Sequence, residues 1–575
     1  MAKSSKKSRG RDRRRSSSVP EPVESAVKSL PMSRSAWLSQ VVFRESVEAV
    51  AIAFVLAFLF RAFEAEAFVI PTGSMATTLM GRHKDVTCPK CGYPYQVGAS
   101  NGVDSETGEI TPGSDVIGCV CPMCHHEMDA RQDRAFSGDR ILVNKFVYHF
   151  EDPKRWDVTV FKYPEGAKTN FIKRLVGLPN ETLRIHHGDL SVRKNGESTF
   201  SLVRKPPDKL RATLQTVHDN DYVLPEEMSS QGWPTRWQID DVLQGWTAAD
   251  DHRSFSNDGS SDSEAWLRYR HFVPNARVWE AVDQGVLPLG YRPDPQLISD
   301  FCAYNNGVDR SGNRQRGLGL HWVGDLAVSC TVDVRGSQGQ MVLELVEGGQ
   351  QMQCRIDVAT GRAELAISGT TFRRSGATPI SRPGAYRLLF ANVDDQLQLW
   401  VDDTLVAFDG PTTYEPLGNT TPQPADLAPV GIATLGADLQ VRHLKVLRDI
   451  YYIAVRGHEP RLLFDYRFPY EVFGNSITEE TVGLFFSSPN RWPRAFSNES
   501  MPPVEFALGK DQFLMLGDNS PQSKDSRVWA TVDRRLLIGK ALFIYWPHSW
   551  DQVSIGGARI PFPFFPNFRR MEFVR

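Results

Sequence analysis

The first strong signal along the chain is an apolar run. Residues 47–63 read VEAVAIAFVLAFLFRAF, with an unbroken apolar stretch at Ala49–Phe60. As a helix that stretch is about 18 Å long, against a hydrocarbon core of about 30 Å. Ser46, Val47 and the turn Arg61–Phe63 bring it near spanning length, with Glu48 and Arg61 placed to snorkel at the two ends. Beyond it the period changes to two. RILVNKF (140–146), DVTVFKY (157–163), NFIKRLVGL (170–178) and TLRIHHGDLSV (182–192) alternate apolar and polar positions between Gly, Pro and Asn, and predict strands. Residues 206–310 hold neither period and are rich in Trp, Asp and Ser. From 318 to 448 short strand patterns return every 8–15 residues, among them LAVSCTVDV, MVLELVE, AYRLLFANV, QLQLWVDD and LQVRHLKVLRD, which predicts a β-sandwich. Residues 500–548 resume the earlier style. The C-terminal IPFPFFPNFRRMEFVR is apolar but broken by prolines, so it predicts no second span.

Composition adds limits. A chain of 575 residues exceeds one domain and implies roughly three or four. The net charge of -2 gives no global attraction to nucleic acid, and 37 Pro with 44 Gly favour turn-rich β architecture. Charge is uneven, however. Residues 1–35 hold ten Lys or Arg against three acidic residues, with Ser and Pro between, and cannot bury a core. This basic flank turns the apolar run into a topology signal: tail in the cytoplasm, remainder outside. The competing readings are a cleaved secretory signal, for which Ala65-Glu66-Ala67 has the form of a cleavage site, and a buried core helix. We carry forward the uncleaved anchor.

Three segments bear chemistry. FVIPTGSMATTL (68–79) sets Ser74 between Gly73 and Met75 just past the anchor; most Gly-Ser pairs are merely turns. In NFIKRLVGLPNETL (170–183), Lys173 lies inside an apolar strand. A lysine so placed either snorkels or loses its charge, because desolvation disfavours the ammonium. A neutral lysine is a base, and a serine hydroxyl needs one to become a nucleophile. LGDNSPQSKDSRVW (516–529) has tight-turn composition and also brings hydroxyls and a carboxylate–guanidinium pair.

Taken together, FVIPTGSM, SGDRILVNKF (137–146), DVTVFKYPEG with NFIKRLVGLPNE (157–181), and GDNSPQSKDSR (517–527) resemble the successive boxes of the bacterial type I signal peptidases, in that family's order and behind an anchor in the family's place. The resemblance covers residues 45–80, 137–200 and 500–550. It implies a mainly β fold, with a signal-peptidase-type catalytic core behind one N-terminal transmembrane helix. It implies Ser74 as the acylating nucleophile, Lys173 as the general base, Thr72 as an oxyanion-hole hydroxyl and Ser523 as the hydroxyl that orients the lysine. Asp525 and Arg527 match a structural ion pair, with Asp518 and Asn519 in the same supporting turn. Phe68, Ile70, Met75, Leu79 and Ile172 fall where the family lines shallow pockets that read Ala-x-Ala before the scissile bond. The chain departs from the family in carrying Thr77 where proline is common, and Ser-Pro-Gln between Asn519 and Ser523. The implied activity is removal of signal peptides from exported preproteins at the outer, periplasmic face of the bacterial inner membrane. The implied partners are those peptides, the lipid bilayer and the translocation machinery, with no nucleic acid.

Two insertions interrupt this core. Residues 81–135 carry Cys88-Pro-Lys-Cys91 and Cys121-Pro-Met-Cys124, 29 residues apart. Two such knuckles are a tetrahedral zinc signature, closed and structural. The alternative is a pair of disulfides, since topology puts the segment in an oxidising compartment. Cys119, His125 and His126 are substitute ligands. Catalysis by serine and lysine calls for no cofactor. The 318–450 region resembles concanavalin-like or laminin-G-like jelly rolls through GAYRLLFANVDDQLQLWVDDTLVAFDG (384–410) and VRHLKVLRDIYYI (441–453). That resemblance leaves open an inert or docking module and a glycan-binding one, with Trp322 and Trp400 read as core.

The expected organisation is therefore a basic tail (1–45), an anchor (46–63), core segments at 64–80, 136–205 and 476–575, a zinc-ribbon-like insert (81–135) and an inserted region (206–475) containing the sandwich. Two other functions compete: a catalytically silent membrane-anchored scaffold or binding protein, and a self-cleaving Ser/Lys regulator. The intact Ser74, Lys173 and Ser523 argue against the first. The anchor and the lack of a DNA-binding domain argue against the second.

Overall fold

The computed structural model describes residues 42–55, 65–100, 114–241, 245–288, 291–310, 319–416, 418, 420–454, 478–495, 501–547, 553–555, 558–560 and 567–575. The chain divides into two units, residues 1–62 and 63–575. In the first, residues 42–55 are helical and leave Val47, Val50, Ile52, Phe54 and Val55 exposed. Fourteen helical residues rise about 21 Å. Among the described residues no helix is long and apolar enough to cross a membrane. Residues 56–63 of the expected anchor lie outside them, as do residues 1–41 of the basic tail.

The second unit is mainly β. The period-two segments at 140–146, 157–163 and 170–178 lie in one seven-stranded sheet. Its strands are β1 (Ala65–Val69), β2 (Arg140–Asn144), β3 (Val158–Lys162), β4 (Asn170–Gly177), β5 (Gln512–Leu516), β6 (Val532–Asp533) and β7 (Leu537–Trp546), in the order β1-β2-β7-β3-β4-β5-β6. Strands far apart in sequence thus become neighbours: β7 enters between β2 and β3, and β5 pairs with β4. Alternation along β2 and β3 sends Ile141, Val143, Val158 and Val160 into one apolar cluster with Ile70, Met75, Leu79 and Ile172. A four-stranded sheet flanks this core, in the order Ser201–Leu202, Asp189–Lys194, Glu181–His186, Val504–Ala507.

Two further sheets, of eight and seven strands, enclose a single large hydrophobic core. They contain the strands expected between 326 and 448, and Trp400 is buried as expected. They also recruit strands from the region that showed no period. Gln215–Asp219 and Ser254–Asp258 pair with Asp438–Arg448, and Ala265–Tyr269 pairs with Val430–Leu435. Strands drawn from 215–269 are therefore part of the sandwich. The two cysteine knuckles lie beside paired short strands, His83–Thr87 with Pro94–Gly98 and Val116–Val120 with Glu127–Asp129, over their own apolar cluster.

Candidate functional site

Residues 70–80 form the loop that carries Ser74. Both ends of the loop are tied to Asp139. Ile70 N–H donates to the Asp139 carbonyl (2.9 Å), Asp139 N–H donates to the Met80 carbonyl (2.9 Å), and Met80 N–H donates to Asp139 Oδ2 (2.8 Å). Between these ties Gly73–Met75 makes a single 3₁₀ turn with Ser74 on it, 8% exposed.

Lys173 sits on β4, and strand alternation turns it away from its neighbour Arg174. Its Nζ lies 2.6 Å from Ser74 Oγ and 2.9 Å from the Ile172 carbonyl, and the residue is 2% exposed. Burial pushes the ammonium down to about 8, only partly opposed by the nearby carboxylates of Asp525 and Asp518. A lysine that gives up its proton near neutrality, in contact with a serine hydroxyl, has the chemistry that a nucleophile and its base require.

Two buried ion pairs frame it. Arg174 binds Asp518 through two bonds (Nε–Oδ1 2.7 Å, Nη2–Oδ2 2.6 Å), and the Thr78 hydroxyl donates to Asp518 Oδ2 (2.6 Å). Arg527 binds Asp525 likewise (Nε–Oδ1 2.8 Å, Nη2–Oδ2 2.7 Å). Burial alone would raise the Asp525 carboxyl, but the Arg527 guanidinium outweighs it and holds the group below the usual carboxylate range. Asn519 reaches the nucleophile turn directly. Its backbone N–H donates to the Ser74 carbonyl (3.1 Å) and its Nδ2 to the Gly73 carbonyl (2.9 Å). Gly517 is required where these segments meet, because a Cβ there would stand 2.2 Å from Ser523 Oγ and 2.4 Å from the Ser74 carbonyl oxygen.

The structure thus gathers Ser74, Lys173, Asp518, Asn519, Asp525 and Arg527 in one place. Two expected residues behave differently. Ser523 is buried, but the two hydrogen bonds of Lys173 Nζ go to Ser74 and Ile172, so the orienting contact expected of Ser523 is not made. Of the expected pocket residues, Ile70, Met75 and Leu79 are closed to solvent and form a floor beneath Ser74, because β2 and β3 turn Ile141, Val143, Val158 and Val160 toward them; Phe68 and Ile172 lie nearer the surface. Thr72 is half-buried at the start of the turn, and among the described residues its hydroxyl has no protein partner. Sequence reasoning missed Arg174, although an arginine inside an apolar strand signals a buried carboxylate partner. It also missed Asn305, for which the sequence carries no signal.

The four knuckle cysteines converge. Their sulfurs all lie within 4.8 Å of one another, with Cys88–Cys124 and Cys91–Cys121 at 3.5 Å. A disulfide needs about 2.05 Å, whereas four thiolates about 2.3 Å from one centre are separated by distances like these. Cys119 stands apart, its sulfur accepting from Tyr95 Oη, while His125 and His126 pack on Phe301 and Trp279. Asp189, Asp325 and Asp394 also approach one another, but there Lys205 engages Asp394 (3.2 Å) and Asp449 (2.5 Å) in a buried ion-pair cluster.

The family model described as "Signal peptidase, peptidase S26" matches residues 116–276 and 485–546. The signal peptidase I of Pseudomonas aeruginosa is 33% identical over 184 residues, which are 28% of this chain and 61% of that protein. A signal peptidase I P of Bacillus subtilis subsp. natto is 36% identical over 89 residues (16% of this chain, 43% of the relative), and the signal peptidase I of Aquifex aeolicus 48% over 46 (8% and 18%). The chain spans less than two thirds of the length of these relatives. Among solved structures, a carbohydrate binding module from Bacillus subtilis aligns at 10% identity and a TM-score of 0.21, over 37% of this chain and 94% of that one. The chain therefore carries a peptidase S26 region similar to the type I signal peptidases.

Proposed function

We propose that this chain is a membrane-anchored serine endopeptidase that removes signal peptides from exported preproteins, cleaving after an Ala-x-Ala-like motif. The observation that carries the reading is the 2.6 Å approach of a buried Lys173 Nζ to Ser74 Oγ. In this mechanism neutral Lys173 takes the Ser74 hydroxyl proton as Oγ attacks the scissile carbonyl. The Thr72 hydroxyl and the Ser74 backbone N–H receive the oxyanion. The lysine then protonates the departing amine, and a water activated by the same lysine releases the acyl group from Ser74. Among the described residues, β4 pairs with β3 along 170–174 but with β5 only from Arg174 onward. The backbone of residues 170–173 is thereby left for an extended peptide to add as a strand, directly beside the base. Phe68 and Ile172, which pack on the same apolar cluster, are the residues proposed to meet the peptide's small side chains. An apolar helix with exposed Val50, Ile52 and Phe54 supports an anchor in the inner membrane, tail inward, with the site meeting substrates close to the outer leaflet.

The direct test is cleavage of a synthetic signal peptide by the full chain in detergent, with the products weighed by mass spectrometry. A single cut after the second Ala of Ala-x-Ala, abolished when that Ala is replaced by Leu, is the expected result. No cut gives the place to the scaffold reading.

We further propose that Cys88, Cys91, Cys121 and Cys124 hold a structural zinc ion, which when bound cross-links the two strand pairs on top of their shared apolar cluster. Elemental analysis should return about one zinc per chain, and a chelator should unfold this module while a reductant alone should not. Two disulfides would give the reverse dependence.

A further inference from the structure

We infer that Asn305, which belongs to the inserted region and to none of the peptidase boxes, is a positioning residue for Ser74; the inference rests on the Ser74/Lys173 reading above. Asn305 lies in a 3₁₀ turn (Ala303–Asn305) and is fully buried. Its amide forms a reciprocal pair with Asn519. Asn305 Nδ2 donates to Asn519 Oδ1 at 2.7 Å, and Asn519 Nδ2 donates to Asn305 Oδ1 at 2.7 Å. The other hydrogen of Asn519 Nδ2 goes to the Gly73 carbonyl at 2.9 Å, while the Asn519 backbone N–H holds the Ser74 carbonyl at 3.1 Å.

The Gly73 carbonyl decides which way the Asn519 amide faces, and Asn305 satisfies the amide in that orientation. Only the NH2 end can bond a carbonyl, and the reversed amide would set two oxygens against each other at Gly73. Asn305 completes the valence of Asn519 on both of its ends, so the buried amide has one satisfied orientation among the protein groups around it. The neighbouring Tyr304 acts on the same turn by shape. A Cβ on Gly73 would stand 2.3 Å from Tyr304 Cε1, so the ring and the glycine fit only one another. The nucleophile turn is therefore gripped from two sides: by the peptidase loop through Asn519, and by the insertion through Tyr304 and Asn305. The insertion also buttresses that loop where Arg527 Nη1 donates to the Ile453 carbonyl (2.9 Å) and Ile453 N–H donates to Ser520 Oγ (2.9 Å). On this view the inserted region is part of the catalytic apparatus rather than a module hung from it, and Asn305 acts on Ser74 through Asn519 alone.

The test uses the full chain and the Ala-x-Ala peptide. Asn305→Ala should lower kcat roughly 30-fold, the worth of two hydrogen bonds. KM should stay within about twofold, because the peptide is bound elsewhere, and the pH midpoint should be unmoved. In an Asn519→Ala background the same substitution should have no further effect, which a general loss of stability would not reproduce. Asn305→Asp keeps the shape and removes the donated hydrogen, and should lose activity in the same direction even if the alanine variant folds poorly. Ile356→Val, a core trim in the sandwich, should lower thermal stability and leave kcat alone. If the wild type cleaves while Asn305→Ala and Asn305→Asp keep full kcat, or if the Asn305 and Asn519 effects multiply, the inference is wrong and the peptidase reading stands. If the wild type does not cleave, both fall.

Discussion

Replacing Lys173 by alanine should lower kcat/KM for a signal-peptide substrate by about 10⁴-fold, at the upper end of what a positioned general base contributes. Ser74→Ala should fall at least as far, and the double variant no further, because the two act as one unit. Lys173→Arg is the more telling change. It keeps a long cationic side chain on β4, but a guanidinium does not deprotonate in this range, so it should be as inactive as alanine. The wild type should respond to pH through this one group. Its proton leaves at about 8, so kcat/KM should rise with pH through a midpoint near that value. At pH 7 only about a tenth of the molecules carry the base in usable form.

The same shift has a consequence for stability, with a definite sign. The folded Lys173 loses its proton at about 8, against the ordinary 10.5 of the open chain. Below 8 both states are charged and the folded one bears the cost of a buried ammonium. Between about 8 and 10.5 the unfolded chain binds more protons, so stability rises with pH across that window. Lys173→Met removes the ammonium and keeps the volume. It should therefore be more stable than wild type at pH 7, by up to about 3 kcal/mol, while being inactive. An inactive variant that gains stability separates a strained catalytic base from a structural lysine, and thermal unfolding at pH 7 and pH 10 reads the difference.

The parts of this arrangement that were legible in the sequence are those governed by local rules. Period two exposed β2, β3 and β4, because one face of each packs on the apolar floor. Lys173 stood out because an ammonium does not belong inside an apolar strand. The knuckle cysteines declared themselves by spacing. What stayed hidden depends on contacts between distant segments. Trp237–Ile239 and Trp246–Ala248 are three residues each, too short to show a period, and gain their place in the sandwich only from strands further along the chain. Asn305 meets Asn519 across 214 residues, and nothing near it in sequence distinguishes it from an asparagine in a turn. Ser523 illustrates the opposite error. The resemblance implied a bond from its hydroxyl to the lysine, but the lysine's hydrogen bonds are taken by Ser74 and the Ile172 carbonyl. Met75 and Leu79 were read as pocket walls from the resemblance, whereas the strands packed behind them make them core.

Arg174→Met should destabilise the fold by about 3–5 kcal/mol, the range for breaking a buried ion pair at one end. Both partners are enclosed, with the Arg174 and Asp518 side chains 0% and 1% exposed. Without the guanidinium, Asp518 keeps only the Thr78 hydroxyl as a side-chain donor, and the carbonyls of Trp156 and Arg575 each lose an Arg174 N–H. The penalty is that of a stranded carboxylate rather than of a lost attraction. It should therefore be relieved in Arg174→Met/Asp518→Asn, where no charge is left unpaired. A double-mutant cycle by urea unfolding should give a coupling of about 2 kcal/mol or more, since the residues are in direct contact. Activity should follow a different course. Asp518 precedes Asn519, whose backbone and side chain both hold the Ser74 turn, so the relieved double variant should recover stability without recovering full kcat. If stability and kcat return together, the ion pair serves only to hold the sheet shut. If stability returns alone, its geometry also sets where the nucleophile stands.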